Sequence, residues 1–347
     1  MHVDWELAAR IARSAGGEAP PSLPPADLAE TAAAARDQVV AATGLVPRGA
    51  LPPAEWVDRG AWIDANLTTM RSTLGPVLEA AGGSDAPASG PLGALQNAGG
   101  AVVAAEIGAL LGMFSRRVLG QYELDLTDPD APPRLLLVGP NLDRAARELD
   151  ADRDELVTWV TLHEVTHAVQ FGAVDWLRPR LGGALTELLG VMDVKVDPRA
   201  LLKLGVDDLK DLVESVREGG LAGVVIGAER KALLDLVQGT MGLVEGHAEW
   251  AMDRAGDAVL RDVEGLRAAM ERRREDRTPL LRILDRLLGF DLKLKQYAQG
   301  RVFCDAIVSA RGDAGLRDAW AAPELAPTSA ELAAPGTWLA RTRPTAA

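Results

Sequence analysis

The stretch Thr161–Phe171 reads TLHEVTHAVQF. Residues four apart on an α-helix lie on one face, one turn apart, so His163 and His167 can aim two imidazoles at one ion. Glu164 follows the first histidine directly and reaches beside that ion instead of onto it. His-Glu-x-x-His on a helix is the zinc-hydrolase arrangement. Zinc lowers the pKa of its water toward roughly 7, and the carboxylate takes the proton and returns it to the leaving group. The chain has four His and 21 Glu among 347 residues, so random placement would yield only about 0.003 copies of the motif. Two histidines used merely for hydrogen bonding on an apolar helix would be a costly arrangement.

The flanking residues say where this helix begins and how deep it lies. Asp152, with Glu155 three positions later, marks an N-terminus resembling a capping box. Leu156, Val157, Val160, Thr161, Val165, Ala168 and Val169 fill most of the circumference, which predicts a buried helix.

A catalytic zinc takes three protein ligands and keeps one open position. A third histidine in the metzincin pattern would require Gly at 170 and His at 173; the chain has Gln170 and Ala173, which excludes that subclass. Two glutamates remain as leading candidates. Glu187, in GGALTELLG, lies 20 residues after His167, a spacing that suits a ligand on the next helix. The other is Glu245, in LVEGHAEWAMD (Leu243–Asp253), where EGHAEW resembles the Glu-Gly-x-Ala signature that carries the third ligand in several gluzincins. Glu249 and Asp253 continue the face of Glu245 at helical spacing and are expected to orient imidazole N–H groups; Glu249 is also an alternative ligand. His247 points off that face and is read as a group contacting substrate or stabilising an oxyanion, or as a further ligand candidate. Tyr297, in KQYAQGRVFCDAIV, is the candidate donor to a transition-state oxyanion, the alternative being a tyrosine packed in the core.

TLHEVTHAVQF, LVEGHAEW and KQYAQGRVFCDAIV, together with VDWELAARIA and LGQYELDL, resemble the zincin-like metallohydrolases of Actinobacteria and Chloroflexi. Members are often labelled zinc-dependent metalloproteases, or proteins associated with biosynthesis of the deazaflavin coenzyme. The resemblance runs over most of the chain and matches residue by residue at His163, Glu164, His167 and Glu245. It implies a mostly helical zincin-like fold with one bound zinc, and leaves the substrate open.

Composition narrows the partners. A net charge of −13 would repel a phosphate backbone or an anionic membrane surface, so neither nucleic acid nor membrane is expected as a partner. One cysteine, Cys304, excludes an intrachain disulfide and a cysteine-built zinc site; it is read as a small buried hydrophobe. The N-terminal stretch MHVDWELAARIARSAGG lacks a basic leader followed by an apolar run, and reads as a short amphipathic helix. Ala98–Phe114 is the most apolar segment, short for a bilayer span and carrying Glu106, so it is read as a buried core helix. A cytoplasmic protein is expected. Oligomeric state is left open.

The fold class expected is mainly α (α+β), with long helices and a small β-hairpin or sheet beside the His-Glu-x-x-His helix. Pro/Gly-rich breaks fall at Gly16–Ala26, Gly82–Gly93 and Thr127–Arg134. Pro25–Leu45 and Pro53–Ala81 read as long helices. Gln121–Leu126 and Arg134–Pro140 read as strands that pair as a hairpin, with RLLLVGP as an edge strand open to an extended substrate. Met270–Arg277 reads as a solvated helix face. A single domain over 1–347 is expected, with lobes 1–172 and 173–347. The function read from these residues is zinc-dependent hydrolysis of a peptide or small amide. The alternatives are a non-catalytic zinc-binding scaffold, or hydrolysis of a non-peptide amide or ester. Retention of Glu164 disfavours the scaffold, because a purely structural site needs no general base.

Overall fold

Three short strands form one sheet in the order β1-β3-β2: β1 is Ala54–Val57, β2 is Gly120–Glu123 and β3 is Arg134–Val138. The computed structural model describes residues 3–81, 91–190, 228–275 and 290–342; at 78–81, 91–99, 228–230, 274–275 and 290–298 only the backbone is described. β2 and β3 pair antiparallel, with Tyr122 opposite Leu135, as the sequence suggests. β3 also pairs in parallel with β1, Trp56 lying opposite Leu137. RLLLVGP is therefore the central strand, and the expectation of an edge strand there is corrected. Its physical signature is a run of leucines with no polar alternation, which marks a strand buried on both faces. Leu135 and Leu137 enter one apolar cluster, while Leu136 and Val138 enter a second.

β1 falls inside Pro53–Ala81, a stretch whose sequence reads as helix throughout. The segment divides at Asp58: β1 precedes it and α3 (Arg59–Ala81) follows. The Asp58 carboxylate accepts the Ala61 N–H at 2.8 Å, as N-cap residues do. Four strand residues are too few to show a period of two against the helical pattern that follows.

The second cluster joins β3 to α1 (Trp5–Gly16), α3 and α4 (Pro91–Ser115). α1 is the amphipathic helix expected at the N-terminus, started by Asp4 accepting the Leu7 N–H at 2.8 Å. α4 packs closely on it: a Cβ on Gly108 would come within 2.5 Å of the Ala8 carbonyl oxygen. Only one side of α4 is covered, however, and Val102 and Glu106 are not buried. Complete burial of Ala98–Phe114 is thus corrected to burial of one face. Among the described residues, no helix is long and apolar enough to cross a membrane.

The larger cluster extends from Leu28 to Trp338. It draws on α2 (Leu28–Thr43), α5 (Gly139–Leu149), α6 (Arg153–Ala173), α7 (Leu177–Gly190), α8 (Ala228–Val259), α9 (Val263–Glu275), α10 (Phe290–Ala321), α11 (Ser329–Ala333) and α12 (Pro335–Arg341). One core therefore takes residues from both sides of positions 172 and 173. α10 is broken at Gly312, whose φ of 68° is open to glycine at little cost. Cys304 is fully buried in this core, and burial pushes its thiol pKa up.

α6 is the buried helix predicted. Asp152 accepts the N–H groups of Asp154 and Glu155 at 3.0 Å each. The Glu155 carboxylate does not close a capping box; it accepts instead from the Arg261 backbone and guanidinium, at 2.8 and 3.0 Å. In Met270–Arg277, Glu271 and Arg272 are exposed, whereas Arg273 is half-buried and donates to the Arg117 carbonyl at 2.9 Å; residues 276 and 277 lie outside the described residues.

Candidate metal centre

α6 lies against β2 on one side and α8 on the other. Successive turns of α6, at His163, His167 and Gln170, meet Met252, Glu245 and Val244 of α8. The partners descend as α6 ascends, so the two helices cross antiparallel. This crossing brings together residues 78 positions apart in the chain.

One ligand atom from each of His163, His167 and Glu245 lies within 4.8 Å of the others. The two histidine Nε2 atoms are 3.2 Å apart. Glu245 Oε2 is 4.0 Å from His163 Nε2 and 3.7 Å from His167 Nε2. A tetrahedral zinc with bonds near 2.0–2.1 Å would hold its ligand atoms about 3.3 Å apart. The two histidines already stand at that spacing, and Glu245 would approach by about 0.4–0.7 Å around such an ion. Two imidazoles and one carboxylate are a donor set that zinc accepts, so these residues could hold a metal ion.

Glu164 sits beside the trio and not in it. Its Oε2 accepts the Tyr122 N–H of β2 at 2.7 Å. A Cβ on Gly120 would meet Glu164 Cγ at 2.7 Å, so only glycine lets the strand come this close. Glu164 is 8 % exposed. Burial raises its pKa to about 7, against the opposing effects of His167 and the Tyr122 hydrogen bond.

Gln170 and Met252 lie at the far nitrogens of the two imidazoles. His167 Nδ1 is 3.0 Å from Gln170 Oε1. Gln170 Nε2 donates to the Val244 carbonyl at 2.8 Å and lies 3.1 Å from His247 Nδ1. His163 Nδ1 is 3.3 Å from Met252 Sδ. Asp253 is engaged elsewhere, paired with Arg267 and Arg301. Glu249 is half-buried one turn beyond Glu245, outside the three-residue group.

His247 is not at the surface of the site, contrary to its reading as a substrate contact. It is 2 % exposed, stacked on Trp250 with ring centroids 5.5 Å apart and edge-on to Trp320 at 4.9 Å. Its turn on α8 carries it behind Glu245, where burial lowers its pKa to about 3 and keeps the ring neutral. Glu187 is exposed on α7 and is not part of the group. Tyr297 falls where α10 is described by backbone alone, so the placement of its side chain lies outside the described residues. The chain's second tyrosine, Tyr122, packs on Phe171 with ring centroids 5.9 Å apart, and burial raises its phenol to about 12.

The glycine of LVEGHAEW has a packing role. α8 and α10 cross at Gly246 and Gly300, and a Cβ on either would overlap the backbone facing it. This contact seats the turn carrying Glu245. Gln170, which the sequence reading does not single out as a site residue, stands behind His167. Its signal is present in the sequence, since it stands one turn after His167 on the same face.

No curated protein matches the chain. The chain is similar over its length to a crystal structure from Chloroflexus aurantiacus, described as a "putative hydrolase with a novel fold": 27% identity, 98% of each chain covered and a TM-score of 0.70. The sequence pattern of the zincin-like metallopeptidases matches residues 3–339, and the chain belongs to that family.

Proposed function

We propose that this chain is a zinc-dependent hydrolase that cleaves a peptide or closely related amide bond. The observation that carries the reading is the Glu164 carboxylate held beside, and outside, the His163–His167–Glu245 group. A purely structural site has no use for a buried carboxylate adjoining its ligands.

His163, His167 and Glu245 would hold the ion. Zinc in such a site supplies a Lewis acid that polarises a carbonyl and makes water a nucleophile near neutral pH. Glu164 does the proton work. Tyr122 N–H holds Oε2, which leaves Oε1 to take a proton from the attacking water and deliver it to the leaving amine. Burial raises the pKa of this carboxyl, which strengthens it as a proton acceptor. The sheet favours an extended substrate beside β2: this strand, unlike β3, pairs on one side only among the described residues and touches Glu164 directly.

The test compares wild type with Glu164→Gln on a broad peptide library, with zinc measured in both. The expected result is about one zinc per chain in each and cleavage by wild type only. Wild type that takes up no zinc after repletion would overturn the metal assignment. Zinc uptake with hydrolysis of ester or non-peptide amide probes, and none of any peptide, would move the substrate class and keep the chemistry.

A further inference from the structure

We propose that Gln170 is the positioning residue of the centre, fixing the tautomer of His167 and the seat of Glu245 through one buried amide. The inference rests on the reading of His163, His167 and Glu245 as zinc ligands. It concerns atoms behind them.

The orientation of the Gln170 amide follows from its partners. A backbone carbonyl can only accept, so the group 2.8 Å from the Val244 oxygen is the Nε2 amino group. The other amide atom, Oε1, then faces His167 Nδ1 at 3.0 Å. An amide oxygen can only accept, so His167 carries its proton on Nδ1. In the neutral ring, the Nε2 lone pair is therefore bare and directed at the metal position. The second N–H of the amide points to His247 Nδ1 at 3.1 Å; an amide N–H only donates, so this ring nitrogen is the acceptor. Every polar atom of the Gln170 side chain has a partner, and the residue is fully buried.

The same amide reaches both ligand-bearing helices. Gln170 stands three residues after His167 on α6, and Val244 immediately precedes Glu245 on α8. Binding the Val244 carbonyl holds the turn that aims Glu245. His247 is locked in turn by Trp250 and Trp320, so the amide cannot rotate without losing two bonds. A carboxylate in this place would accept from His167 but could not donate to Val244. Glutamine does both.

The test uses the full-length chain, metal-free and zinc-loaded. Ring ¹⁵N shifts of metal-free wild type report the His167 tautomer, and the expected form is Nδ1–H. Gln170→Leu removes all three bonds and is expected to mix the tautomers and weaken zinc binding about 10- to 100-fold in a chelator competition. Gln170→Glu keeps an acceptor for His167 alone; it is expected to keep the Nδ1–H form with intermediate affinity. An Nε2–H ring in wild type would overturn the inference even if no variant folds. So would Gln170→Leu with a lowered Tm but unchanged tautomer and zinc affinity, since that marks a helix tie only. Wild type with the Nδ1–H ring that takes up no zinc would instead overturn the zinc reading on which the role depends.

Discussion

The Tyr122 backbone N–H donates to the Glu164 carboxylate at 2.7 Å, across the contact between β2 and α6. The approach depends on Gly120 two residues earlier, where a Cβ would meet both Glu164 Cγ and Val160 Cγ1 at 2.7 Å. Gly120→Ala should push the strand off the carboxylate and leave the ligands in place. The expected outcome is a fall in kcat of about tenfold or more, worth about 1.4 kcal/mol of barrier, with zinc content unchanged. Steady-state kinetics with metal analysis decides it. Unchanged kcat would show that the strand contact has no part in the proton transfer.

Glu245 and Glu187 should respond oppositely to alanine. Glu245 shares the group with the two histidines, whereas Glu187 is exposed on α7. Glu245→Ala is expected to lose zinc and activity, and Glu187→Ala to keep both. The same zinc titration checks linkage: metal at 100 times its Kd should stabilise wild type by about 2.7 kcal/mol. Zinc loss on Glu187→Ala alone would reverse the ligand assignment.

Gly246→Ala should be costly for a reason that involves no chemistry. Its Cβ would enter the backbone of α10 at Gly300, and overpacking of this kind costs about 1–3 kcal/mol. A Cβ on Gly183 of α7 would meet nothing within 4 Å, so Gly183→Ala should be neutral or stabilising by up to about 1 kcal/mol. Thermal unfolding of the two variants gives the comparison. Equal Tm values would mean that α8 and α10 cross less closely.

His247 makes stability depend on acid. Its folded pKa is lowered to about 3 by burial, below the roughly 6.5 of an unfolded histidine. Its contribution is fully present above about pH 6.5 and is lost as pH falls toward 3, because only the unfolded chain takes the proton. The slope approaches about 1.4 kcal/mol per pH unit inside that window. Denaturant unfolding of the metal-free protein between pH 7 and 4.5 should therefore be steeper in pH for wild type than for His247→Asn. Parallel curves would show that the ring titrates normally in the folded chain.

The spacing His163–Glu164–His167 determined by itself that two imidazoles share a face of one helix, since a period of 3.6 residues allows nothing else. The apolar residues around them determined that the helix is buried, and Asp152 determined where it starts. The leucines of β3 also contained their answer, because a strand with no polar alternation is covered on both faces. β1 was not legible: four residues carry no period of their own, and pairing with β3 is what makes them a strand. Tertiary structure alone decided that Glu245, and not Glu187, faces the histidines, because the crossing of α6 and α8 is set by packing between distant segments, including the glycine contact at Gly246 and Gly300. It also decided that His247 turns into a tryptophan cage, that Asp253 serves two arginines, and that Gln170 stands behind His167. Spacing names the faces of a helix; which neighbour each face meets is settled only when the helices pack.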